Sequence, residues 1–261
     1  MPVVVGHRGA SARWPENTLS SFLAAWHAGV TWVEADTQPT ADGVPVLLHD
    51  RELTRTTSGR GPVRATRLRD VQNLSVRGWP GVWVPRLAEL LAMLTPTRAL
   101  LLEIKGYHTS RQIRAVLDEI DAAGVADRVV LQSFEEEVLR ELQRAVPDRP
   151  YGLLVSNLDA DPVARCREVG AAYYNPSVGA VLGRPGVVPQ LQAARLRVVC
   201  WTAQRPPGVG RPGRRRRGRD HHRHSRRPAR PAAARRGRLT ARKRLRLRRR
   251  PSGRRAGRWP R

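Results

Sequence analysis

The sequence predicts an α/β protein, a (β/α)8 barrel with a small insertion after its third strand and a last helix missing or replaced. Three observations lead there: eight short apolar runs rich in β-forming residues, segments of helical period between most of them, and ionisable side chains where runs end. The runs are Val3–Val5, Thr31–Ala35, Val44–Leu48, Ala99–Ile104, Val129–Leu131, Tyr151–Val155, Ala171–Tyr174 and Arg197–Trp201. Near-continuous apolarity over so few residues suits a strand covered on both faces, and strand then helix, repeated, implies a parallel sheet. The length of 261 residues accommodates one barrel of about 250 residues. An open doubly wound sheet is the alternative arrangement of the same elements.

The helices follow from period and punctuation. Leu19, Phe22, Leu23 and Trp26 fall at i, i+3, i+4 and i+7, with Asn17 as the expected cap and Gly29 as the stop. Leu87, Leu90, Leu91 and Leu94 repeat the spacing, as do Ile113, Val116, Leu117 and Ile120 before Gly124. Ser133 with Glu136 reads as a capping box for a helix through Val138, Leu139 and Leu142, and Asp161 with Pro162 opens a shorter one. One connection breaks the scheme. Only seven residues, including Thr40-Ala41-Asp42-Gly43, separate Asp36 from Val44, and a parallel crossover needs about a dozen, so a hairpin-like step is expected there. Residues 51–84, punctuated by Gly59, Gly61, Pro62, Gly78, Pro80 and Gly81, are too long for a simple loop and are expected to form an insertion over the site.

The net charge of +26 would suggest a nucleic-acid or anionic-membrane partner, but its distribution does not. Residues 205–261 hold 24 arginines and one lysine against one acid, Asp220, a net of +24; residues 1–204 hold the other 23 bases and 21 acids, a net of +2. The first 204 residues are thus near-neutral globular sequence, with no obligatory nucleic-acid partner expected. Two cysteines, Cys166 and Cys200, sit in apolar runs, giving neither a disulfide framework nor a zinc spacing. No stretch approaches the roughly 20 apolar residues of a membrane span. The start, MPVVVGHRGA, has no basic leader, and a cytoplasmic location is expected.

Four strand ends carry chemistry. Gly6-His7-Arg8-Gly9 puts an imidazole and a guanidinium after the first run, between glycines that let the backbone turn. Taken alone it reads first as a tight turn with a surface arginine. Glu34 and Asp36, two apart on a strand, point to one face, where burial is costly unless a cation joins them or the strand lies near an edge. Hard cations, Mg²⁺ or Ca²⁺, prefer such oxygen ligands. Leu100-Leu101-Leu102-Glu103-Ile104-Lys105 drives a carboxylate and an ammonium into an apolar strand, as an internal ion pair or as metal and phosphate ligands. His49 ends the third run and with His7 makes the pair that acid and base catalysis needs. His27, on a helix, and His108, in a polar loop, read as solvated. Seven such residues together fit metal-assisted attack at a phosphate better than seven unrelated bland explanations.

His7-Arg8-Gly9 with Pro15-Glu16-Asn17-Thr18, Val33-Glu34-Ala35-Asp36 with Thr40 to Val46, His49-Asp50 and Glu103-Ile104-Lys105 resemble the glycerophosphodiester phosphodiesterase family in order and spacing. The resemblance runs from Val3 to about Thr202. It implies a TIM-type barrel with an insertion after His49-Asp50, His7 and His49 as acid/base residues, and Glu34, Asp36 and Glu103 as ligands of one divalent cation. Arg8 and Lys105 would bind phosphate, and Trp201 would wall the glycerol unless it is simple barrel packing. The implied reaction cleaves glycerophosphodiesters to sn-glycerol 3-phosphate and an alcohol. Within enzymes the alternative is a lysophospholipase D or related phospholipase on the same barrel.

Members of that family usually continue with an Asn-containing turn and a final amphipathic helix, whereas this chain departs after Trp201-Thr202. From Arg205 on it holds no Ile, Phe, Met, Tyr or Cys, a composition from which no core helix is built. The favoured reading is a shifted reading frame, since Arg, Pro, Gly and Ala have GC-rich codons. The alternatives are a disordered basic tail that binds nucleic acid, other anions or a membrane surface non-specifically, and a metal site at Asp220-His221-His222-Arg223-His224, which the neighbouring arginines oppose. Translation of the two other frames from codon 202 should recover a helix of apolar period; finding none would favour a genuine tail.

Overall fold

The computed structural model describes residues 3–203; the Arg-rich segment, with its possible metal site, lies outside the described residues. The eight expected strands meet in one sheet, as β1 (Val5–Gly6), β2 (Trp32–Pro39), β3 (Pro45–Leu47), β6 (Ala99–Ile104), β7 (Val129–Ser133), β8 (Tyr151–Val155), β9 (Tyr173–Pro176) and β10 (Arg197–Val198). Their order is β1-β2-β6-β7-β8-β9-β10, every neighbour parallel. Among the described residues no ladder joins β10 back to β1.

The third strand is the exception that its short connection demanded. β3 folds back antiparallel on β2, pairing Thr37 with Leu47 and Pro39 with Pro45, with Gly43 in the left-handed conformation inside the turn. Residues 51–84 then form the insertion: a single 3-10 turn (Val63–Ala65), α2 (Leu68–Val71) and a hairpin of β4 (Ser75–Val76) and β5 (Trp79–Trp83). Val46, Leu48, Leu53, Val63, Val71 and Val84 give it an apolar centre separate from the main core.

Outside the sheet lie α1 (Leu19–His27), α3 (Leu87–Leu91), α4 (Ser110–Ala122), α5 (Glu136–Ala145), α6 (Pro162–Val169), and two helices the period did not reveal, α7 (Val178–Gly183) and α8 (Val187–Ala193). The stripe Ile113, Val116, Leu117 and Ile120 of α4 is buried throughout, each side chain contributing roughly 1.5–3 kcal/mol. Two expected caps differ. Thr18 caps α1, its hydroxyl accepting from Ser21 N, because Asn17 is turned the other way, toward β2. Ser133 caps no helix through a box with Glu136. It ends β7, donates to Ile104 O and accepts from Glu135 N, because the chain is still extended at this point. Asp161 caps α6 as expected, accepting from Val163 N and Ala164 N. Cys166 is buried whereas Cys200 is exposed, and both are free.

Glu119 on α4 faces α3. Burial pushes its carboxyl up to about 7, against a hydrogen bond from the Ala88 backbone and the nearby Arg86, and its Oε2 has no partner among the described residues. A carboxyl raised in the folded state favours folding in its protonated form, so its penalty is absent below the unfolded pKa near 4.5 and complete above about 7. The stability difference between Glu119→Gln and wild type should therefore grow in the mutant's favour from pH 4.5 to 7 and then level off, as read from urea midpoints; a difference flat in pH would refute this.

Candidate active site

The site forms where β1, β2, β3 and β6 end. Arg8 follows β1 with φ of 54°, a left-handed backbone that costs a non-glycine residue about 1–2 kcal/mol. Contacts on every side hold it there. Its N–H donates to Glu34 Oε2 at 2.9 Å, and its carbonyl accepts from Ser21 Oγ at 2.9 Å and Asn17 N at 3.2 Å. The first turn of α1 passes so close that a Cβ on Gly9 would meet Ser21 C at 2.6 Å and Phe22 N at 2.8 Å. Only glycine allows that approach.

Period two on β2 puts Glu34 and Asp36 on one face, and the register of β2 with β6 sets Glu103 directly beside Asp36. All three side chains are buried, at 6%, 0% and 7% exposure, and a carboxylate oxygen from each lies within 4.8 Å of the others. Burial first, and then the charges of Asp36 and Glu103, push Glu34 well above the usual carboxylate range. Burial followed by Asp36 raises Glu103 to about 7, with Lys105 pulling the other way. Lys105 Nζ stands 2.7 Å from Glu103 Oε1 and 3.6 Å from Asp36 Oδ1, a buried oxygen that has no hydrogen-bond donor on it among the described residues. Arg8 Nε lies 3.1 Å from Asp36 Oδ2. Three hard oxygen donors, underneutralised and facing one point, fit a divalent cation such as Mg²⁺ or Ca²⁺.

His7 Nε2 is 3.9 Å from Glu34 Oε2; burial, then Arg8, holds its pKa below the usual value. His49 follows β3, and its Nδ1 lies 2.7 Å from Asp50 Oδ1. The carboxamide of Gln38 on β2 donates to the carbonyls of Leu48 and His49 at 3.1 and 3.0 Å, tying that strand end down. Trp201 donates its indole N–H to Asn175 O at 2.9 Å and meets Phe134 edge-on at 5.4 Å, while Lys105 Nζ stands 5.7 Å from the centre of the Phe134 ring. Of the eight residues singled out in the sequence, His7, Arg8, Glu34, Asp36, Glu103 and Lys105 are linked through short contacts, Trp201 joins them through the Phe134 ring, and His49 stands at the neighbouring end of β3.

Several further residues take part that the sequence did not assign to the site. Asn17 exchanges two hydrogen bonds with Asp36, at 2.8 and 3.1 Å, which its place in Pro15-Glu16-Asn17-Thr18 hinted at. Gln132, beside Glu103 in the β6–β7 register, accepts from Asn175 Nδ2 at 2.8 Å across Gly152, whose missing Cβ would lie 2.6 Å from that nitrogen. Phe134 and Arg55 left no periodic signal. His27 is exposed as expected, but His108 is not solvated: it is 4% exposed, its Nδ1 shared between Gly106 O and Arg64, and burial lowers its pKa to about 4. Arg64 also donates to Lys105 O, so the insertion seals this loop.

The pattern of the Glycerophosphoryl diester phosphodiesterase family matches residues 7–229, reaching past Thr202, where the likeness had been expected to stop. A probable glycerophosphodiester phosphodiesterase 1 of Mycobacterium tuberculosis is 31% identical over 222 residues, covering 77% of this chain and 81% of its own. A glycerophosphodiester phosphodiesterase of Caldanaerobacter subterraneus is 27% identical, covering 80% and 88%. Among solved structures, a phosphodiesterase from Oleispira antarctica in complex with the product sn-glycerol-3-phosphate superposes with a TM-score of 0.73 at 28% identity, covering 78% of this chain and 86% of that one. A (β/α) barrel of this kind, matched over more than three quarters of its length, places the chain in the glycerophosphoryl diester phosphodiesterase family, and it is a phosphodiesterase.

Proposed function

We propose that this chain hydrolyses glycerophosphodiesters, with a divalent cation held by Glu34, Asp36 and Glu103, to give sn-glycerol 3-phosphate and an alcohol. The observation that carries the reading is the meeting of three buried carboxylates within 4.8 Å, with Arg8 and Lys105 against them. An assembly this rich in buried like charge is stabilised when a cation completes it, and the flanking cations then meet a second anion, the phosphoryl group. The bound ion would polarise the phosphoryl oxygens and acidify the attacking hydroxyl.

The chain's own groups then divide the work. Arg8 and Lys105 orient the phosphodiester, and Trp201 with Phe134 walls the glycerol carbons. His7, next to the triad, takes the proton of the glycerol 2-hydroxyl as its oxygen bonds to phosphorus. His49 gives a proton to the head-group oxygen as its bond to phosphorus breaks. The head group fits the cavity of about 280 Å³ between the loop after β1 and the insertion, lined by Trp14, Glu16, Leu48, Arg55, Trp79 and Val84. Leu48 and Arg55 there flank His49 and Asp50 in the chain, and this nearness is the ground on which we assign His49 as the acid. In the second half the roles reverse: water gives a proton to His49, its oxygen bonds to phosphorus, and the cyclic ester opens onto O2, protonated by His7. The small-molecule diester is the only partner this chemistry needs, and among the described residues no helix is long and apolar enough to cross a membrane.

Purified chain with glycerophosphocholine should release glycerol 3-phosphate and choline, read with a coupled dehydrogenase; release of glycerol and phosphocholine would overturn the reading. His7→Ala and His49→Ala should each lower kcat by about 10² to 10⁴ with an unchanged circular dichroism spectrum. Metal binding has its own readout: Mg²⁺ or Ca²⁺ at about 100 times Kd should stabilise the folded chain by about 2.7 kcal/mol, visible as a higher melting temperature. Asp36→Asn should abolish that rise, and a rise retained in this variant would place the ion elsewhere.

A further inference from the structure

We propose that Arg55, within the insertion, is a positioning residue of the reaction that holds His49 and Arg8 in place at once. The proposal rests on the reading of His49 as the acid. Arg55 Nη1 and Nη2 donate to Glu16 Oε2 and Oε1 at 2.9 and 2.7 Å, and its Nε and Nη2 bond Asp50, the latter at 2.9 Å to Oδ1. Each carboxylate has a second duty. Glu16 Oε1 receives Arg8 Nη1 at 3.1 Å, and Asp50 Oδ1 lies 2.7 Å from His49 Nδ1. An unbroken chain, Arg8–Glu16–Arg55–Asp50–His49, therefore spans the mouth and joins residues 39 positions apart.

Each link has a mechanical consequence. A carboxylate on Nδ1 fixes the imidazole with its proton there and leaves Nε2 to serve the leaving group. Asp50, part-exposed and next to His49 in the chain, keeps that orientation because Arg55 grips both of its oxygens. Glu16 in the same way holds the Arg8 guanidinium beside Asp36. A planar guanidinium can grip two carboxylates with a pair of N–H groups on each, a two-pronged geometry that an ammonium does not reproduce. With 48% of its side chain exposed, Arg55 adds little to stability, so a loss of rate on its removal would report geometry rather than unfolding.

The test compares, in the full chain, glycerophosphocholine with the glycerol p-nitrophenyl phosphodiester, whose leaving group departs without a proton. His49→Ala should impair the choline ester far more than the nitrophenyl ester. Arg55→Ala should show the same contrast on top of a loss that both esters share, since Arg8 serves both: kcat for the choline ester should fall about 10- to 100-fold further than for the nitrophenyl ester, with an unshifted melting temperature. Arg55→Lys should not restore the rate, whereas added guanidinium should partly rescue Arg55→Ala. If His49→Ala shows the contrast and Arg55→Ala does not, this proposal alone falls. Equal losses on both esters, or a fall in melting temperature in step with the rate, would also overturn it. If His49→Ala treats the two esters alike, the assignment of His49 as the acid fails and takes this proposal with it.

Discussion

The mutual repulsion of Glu34, Asp36 and Glu103 is the constraint around which the rest is arranged. Three carboxylates with less than a tenth of their surface in water cannot all be ionised without compensation, and what surrounds them is compensation: the Arg8 N–H on Glu34, the Arg8 guanidinium and Asn17 amide on Asp36, and Lys105 on Glu103. Even so, Glu34 and Glu103 are pushed upward, so the neutralisation is incomplete. A site left short of positive charge could hold a cation.

That requirement explains backbone features around the triad. The left-handed Arg8 exists to bring its N–H and its side chain to two carboxylates at once, and Gly9 exists because α1 must begin immediately above it. Antiparallel β3 shortens the step after β2 so that His49 arrives at the same mouth, where a full crossover would have added a helix and carried it away. The insertion follows directly, and its apolar centre of Val46, Leu48, Leu53, Val63, Val71 and Val84 anchors it on β3. Its polar side, through Arg55 and Arg64, reaches back to the strand ends. Chemistry and cover are thereby mechanically coupled.

Much of this was legible because barrel strands carry an uninterrupted apolar signal, and a charge within such a run stands out. Glu103 and Lys105 in a run of leucines and an isoleucine, or Glu34 and Asp36 after Trp32-Val33, violate burial so plainly that function is the economical explanation. Helices with a full stripe, such as α4, were equally plain, whereas α7 and α8 are short and bury few side chains, so their period is faint. His108 misled because a polar neighbourhood in sequence says nothing about a loop that Arg64, 44 positions away, closes over.

The sequence by itself determined the kinds of element, their order, the reversed third strand and the identity of the charged residues at strand ends, since all of these follow from local period, spacing and composition. Tertiary structure alone decided that Asp36 stands level with Glu103, that Asn17 serves Asp36 rather than α1, and that Arg55 meets Glu16 across 39 positions. The physical reason is common to all three. Register and loop path set which distant groups touch, and they are settled by the packing of the whole barrel, a sum of many weak contacts that no window of neighbouring residues contains.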